Sequence, residues 1–73
     1  MNTIEEDVER VLALRGTDAI VFNMCEEGGA MCYLSEGSYI LEEVPQYGGV
    51  PISRGTYLKG QERELVEMAH SWT

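Results

Sequence analysis

Positive charge is what this 73-residue chain has least of: five Lys and Arg stand against thirteen Asp and Glu, a formal net charge of −8. Arg10, Arg15, Arg54, Lys59 and Arg63 are spread along the chain and form no basic stripe. Affinity for nucleic acid comes largely from cations that release condensed counterions, so direct binding of DNA or RNA is not expected. Anionic lipid surfaces are disfavoured on the same ground. No apolar run approaches the roughly 20 residues that a membrane span requires. The opening segment Met1-Asn2-Thr3-Ile4-Glu5-Glu6 is acidic and amphipathic, unlike an export signal, which predicts a cytoplasmic protein with reduced thiols.

Soft metal ligands are also few. The chain has two cysteines and one histidine, His70, which is short of the four ligands of a structural zinc site. Its glycines build no phosphate loop: Gly48-Gly49 lacks a following Lys and Ser/Thr, and Gly28-Gly29 lies between strand-like runs. No metal and no cofactor is expected. His70 near a chain end is accounted for by the dipole of a helix C-terminus, and no polar neighbour in sequence orients it as a general base. The paired carboxylates Glu26-Glu27 and Glu42-Glu43 do not suit glycoside chemistry, because one pair enters a turn and the other points to opposite faces of a strand. An enzyme is therefore not expected.

What the chain does have is enough apolar content to fold, 44% hydrophobic residues, in a length that allows one domain over residues 1–73 and one thin core. Thr3-Ile4-Glu5-Glu6 has the form of a capping box, and Ile4, Val8, Val11 and Leu12 recur at helical spacing, predicting a helix from Thr3 to Arg15 closed by Gly16. Ala19–Cys25 reads as a strand, Gly28-Gly29 as a two-residue turn and Ala30–Leu34 as the returning strand. Ser35-Glu36-Gly37-Ser38 is a second turn leading to a strand over Tyr39–Val44. Pro45–Pro51 is a loop, Ile52–Leu58 a last strand with Gly55 as a possible bulge, and a second helix from about Gln61 buries Leu65, Met68, Ala69 and Trp72. The expected class is α+β: an α-β-β-β-β-α order in two layers, with both helices on one face of a small antiparallel meander.

The Gly28-Gly29 turn sets Cys25 opposite Cys32, at a hydrogen-bonded pair whose side chains splay apart and do not suit a disulfide. It also places Val21, Cys25, Cys32 and Leu34 on one sheet face, with Phe22, Met24, Met31 and Tyr33 on the other. Both faces are then apolar, and the one without helices calls for a partner or a second copy, so a homodimer is possible. The turn after the first strand and the loop after the third share one end of a meander, which lets Glu26, Glu27 and Tyr47 converge. Tyr47, an aromatic in a Pro- and Gly-framed loop, is a candidate anchor. Together with Glu36, Glu42 and Glu43 these residues form the expected partner-binding set, suited to a basic protein surface.

Size, acidity and the order of helix, antiparallel hairpins and helix resemble the small phage-encoded anti-CRISPR inhibitors. The resemblance is one of layout, carried by the capping segment Thr3 to Asp7, the sheet from Ala19 to Leu58 and the carboxylates Glu26, Glu27, Glu36, Glu42 and Glu43. It implies a stoichiometric, non-enzymatic inhibitor that offers carboxylates in place of phosphates to a nucleic-acid-handling protein. The competing expectation is a self-associating structural or subunit module without inhibitory activity.

Overall fold

The computed structural model describes residues 3–25, 28–45 and 50–72. Helix α1 (Ile4–Leu12) begins as the capping box requires: the Thr3 hydroxyl accepts from the Glu6 amide at 3.1 Å, and the Thr3 amide donates to Glu6 Oε1 at 2.8 Å. The helix ends three residues before the expected Arg15. Arg15 instead turns back, donating from one guanidinium nitrogen to the carbonyls of Leu12 (3.0 Å) and Leu14 (2.9 Å). A side chain thus satisfies carbonyls that a longer helix would have paired internally.

Strands β1 (Ala19–Cys25), β2 (Gly28–Ser35), β3 (Ser38–Val44) and β4 (Ser53–Tyr57) follow, then helix α2 (Glu62–Trp72). The sheet is an antiparallel meander in the order β1-β2-β3-β4. Both helices pack on one face of it, closing a core of Val11, Leu14, Phe22, Ala30, Cys32, Tyr39, Leu41, Leu65, Val66 and Ala69. The α+β class and the α-β-β-β-β-α order are as the sequence predicts.

Register departs from the expectation in the first hairpin. Gly28 and Gly29 belong to β2, and Cys25 pairs with Gly28 rather than with Cys32. Between Phe22 and Cys25 the register shifts by one residue, so β1 carries a bulge and Cys32 stands opposite Ile20. Gly28 has φ +109°, and a Cβ there would collide with the Val44 carbonyl oxygen and lie 2.8 Å from the Pro45 carbonyl. Its glycine allows a close approach of the end of β3. Gly55 is no bulge, since the β3–β4 pairing runs unbroken from Tyr39↔Tyr57 to Glu43↔Ser53; the Tyr57 ring packs over it at 3.3 Å from where a Cβ would stand.

The shifted register re-sorts the two faces. Ile20, Cys32, Leu41 and Gly55 form one row across the helix-facing side, flanked by Phe22–Ala30–Glu43–Ser53 and by Leu34–Tyr39–Tyr57. The outer side has the rows Ala19–Tyr33–Ile40–Thr56 and Val21–Met31–Glu42–Arg54. Val21 and Phe22 therefore exchange the faces expected of them, the consequence of a one-residue slip. The expected positions of the Cys25 and Met24 side chains fall outside the described side chains. In α2, Val66 is buried where Met68 was expected, and Met68 is 41% exposed.

Candidate functional site

The expected partner-binding residues do not form one surface among the described residues. Glu26, Glu27 and Tyr47 lie outside them. The segments that lead to them do adjoin, because Gly28 and Pro45 are in close approach. Glu36 sits at the opposite end of the meander, in the tight turn between Ser35 and Ser38. Its φ of +52° and that of Gly37, +82°, place both central residues in the left-handed region that this hairpin turn demands. Glu43 is half-buried on the helix-facing side, and its carbonyl accepts from the Ile52 amide at 2.9 Å.

Glu42, on the outer face, is 8% exposed and already occupied. Arg54 donates to its Oε2 from Nε at 3.0 Å, and the Arg54 Nη2 forms an ion pair with the same oxygen at 2.8 Å. The Tyr33 hydroxyl donates to the same oxygen at 2.9 Å and accepts from Arg54 Nη2 at 2.7 Å. Those bonds to Tyr33 and then Glu42 raise the Arg54 pKa further above its ordinary value. Diagonal and direct cross-strand neighbours thus lock into a closed triangle, in which the carboxylate is neutralised within the chain. A groove of about 430 Å³ lies beside it, lined by Glu42, Pro51, Ile52, Ser53 and Arg54.

A second polar cluster escapes sequence reading. Asp7 is 1% exposed in the core-facing side of α1, and accepts from Arg10 Nη1 at Oδ1 (2.7 Å) while its Oδ2 is 2.7 Å from His70 Nε2. With Asp7 a carboxylate, His70 Nε2 is the donor. Arg10 continues to the Val21 carbonyl at 2.9 Å and lies 5.8 Å above the Phe22 ring. One buried carboxylate therefore ties α1, α2 and β1 together. The available signal was the helical wheel, which sets Asp7 between Ile4 and Val11; nothing in sequence joins it to His70, 63 positions away.

Other titratable groups are structural. Burial pushes the Cys32 thiol up from 9.0 to about 12, which removes its nucleophilic form at neutral pH. Burial, and then the bond to Glu62, takes Tyr39 from 10.0 to about 12; its hydroxyl donates to Glu62 Oε2 at 2.8 Å. The Gly60 amide, at 3.1 Å from that oxygen, holds the Glu62 carboxyl below its ordinary range. Among the described residues no group of three or more His, Cys, Asp or Glu is arranged to hold a metal ion, and no helix is long and apolar enough to cross a membrane.

An exposed surface with more acids than cations is found on the helices. Glu5, Glu9, Glu64 and Glu67 are exposed on the outward sides of α1 and α2. Arg63 stands between them, 3.6 Å from Glu5 and 3.5 Å from Glu67. Arg10 and Arg15, the other helix-layer cations, are turned onto acceptors of the chain itself. Leu12 is 52% exposed and lies one turn beyond Glu9, and Met68 lies one turn beyond Glu64. No protein-family model matches the chain, and comparison with curated proteins and with solved structures gives no match.

Proposed function

We propose that the chain is a non-enzymatic binding protein whose acidic helical layer docks on a basic protein surface. The observation that carries this reading is the charge balance of that layer: of the exposed carboxylates Glu5, Glu9, Glu64 and Glu67, Arg63 stands within ion-pair distance of Glu5 and Glu67 alone. Opposite charge on a partner would steer encounter and fix register. Leu12 and Met68 supply apolar area beside the carboxylates, which charge alone does not. Proteins that handle nucleic acid offer such basic surfaces. Carboxylates set along two helices would occupy one in place of phosphates. The helical layer is preferred to the strand and turn acids because Glu36 and Glu43 lie apart and Glu42 is neutralised by Arg54.

The test is capture from a lysate by the immobilised chain and by a variant carrying Glu5→Gln, Glu9→Gln, Glu64→Gln and Glu67→Gln. The wild type is expected to retain a basic protein in one-to-one ratio, released by salt and displaced by nucleic acid, and the variant to lose it. Equal retention of the same protein by both would contradict the reading.

A further inference from the structure

The outer face of the sheet carries a different kind of information from the helical layer. Its rows put Val21, Met31, Tyr33 and Ile40 side by side, with Glu42, Arg54 and Thr56 toward the β4 edge. Val21 is 45% exposed, and Met31, Tyr33 and Ile40 are half-buried with neither helix over them. Among the described residues Glu42 is the one acid that the register places on this face, and Arg54 neutralises it at 2.8 Å. In a chain of net charge −8, the described residues of this face carry no net charge.

We propose that this neutral face is where two copies of the chain associate, sheet against sheet, about a two-fold axis. Charge selects the occupant. A basic partner gains nothing from a carboxylate already paired in the chain, whereas a second copy, repelled everywhere else by like charge, meets no repulsion here. A two-fold contact is self-complementary, so an apolar patch meets its own image. Sheets packed face to face stand about 10 Å apart, which lets these side chains interdigitate. The Tyr33–Glu42–Arg54 triangle enters such an interface with its charge already compensated and Glu42 Oε2 already hydrogen-bonded. Four strands spaced about 4.8 Å apart and some 20 Å long give roughly 400 Å² of projected face per copy. Counting both copies, about 800 Å² lies below a standard-size specific interface, so the dimer is a weak one. The proposal does not rest on the helical docking surface: the two lie on opposite sides of the molecule, and a dimer would present two acidic layers outward.

Sedimentation equilibrium of the full chain, from about 5 μM to about 500 μM, tests it over the span in which such affinities are read. The mass is expected to rise from the 8.2 kDa of one chain toward twice that value. The transition should move to lower concentration as salt is raised, because screening weakens the repulsion between two −8 chains. Val21→Asn and Ile40→Asn leave net charge unchanged, and each should weaken association by about tenfold or more. Circular dichroism reports whether each variant is folded; Val21, already exposed, provides the reading if the Ile40 variant is not. A monomer throughout the range at both low and high salt would overturn the proposal. So would a dimer that folded Val21→Asn leaves unchanged, or one that salt dissociates.

Discussion

Asp7 occupies a position on α1 that the helical wheel gives to an aliphatic side chain, and its two oxygens are taken by Arg10 and His70. Replacing it by Ala leaves the half-buried Arg10 and His70 without that acceptor and opens a gap in the α1–α2 contact. The expected loss is about 2–4 kcal/mol in urea denaturation, below the full figure for a wholly buried pair because Arg10 keeps its bond to Val21 and some contact with water. Two other buried groups set the alkaline limit. Cys32 and Tyr39 both have folded-state pKa values raised to about 12, from 9.0 and 10.0. A raised value means that folding favours the protonated form. Their contribution to stability is therefore complete below pH 9 and is lost progressively from 9 toward 12. The melting temperature is expected to fall above pH 9, and in Cys32→Ala, after a pH-independent cost of lost packing, the fall should begin only near pH 10.

At the scale of elements, the tight turn between β2 and β3 holds a non-glycine residue, Glu36, at φ +52°. Left-handed backbone crowds a Cβ, and Glu36→Gly removes that crowding; a gain of about 0.5–1 kcal/mol is expected in thermal or urea unfolding, net of the added freedom of glycine in the unfolded chain. No gain would mean that the strain is already relieved in the turn. This turn was legible in Ser35-Glu36-Gly37-Ser38 because its chemistry is local, and so was the start of α1, where Thr3 and Glu6 satisfy each other. The end of α1 was not, because Arg15 folds back onto Leu12 and Leu14 instead of extending the helix to Gly16. The role of Gly28 was not legible for a non-local reason: it allows the approach of Val44 and Pro45, and that contact exists only once β3 is in place. The candidate site followed the same division. Negative charge was plain in composition, but whether a carboxylate is free or spent depends on pairings such as Glu42 with Arg54 and Asp7 with His70, which only the fold brings together.

For the whole molecule, the two sides of the two-layer fold differ in charge: the helical layer holds exposed carboxylates around one arginine, while the outer sheet face is balanced by an internal ion pair. On the proposed function, the helices supply the long-range attraction to the partner. The most direct test is the association rate of the captured partner with wild type and with the double variant Glu64→Lys, Glu67→Lys, measured across a range of salt concentrations. Wild-type association is expected to slow steeply as salt rises. The variant should be about tenfold slower at low salt, with a flattened salt dependence and a dissociation rate that changes far less. Equal association rates and equal salt slopes for the two folded proteins would contradict an acidic helical docking surface.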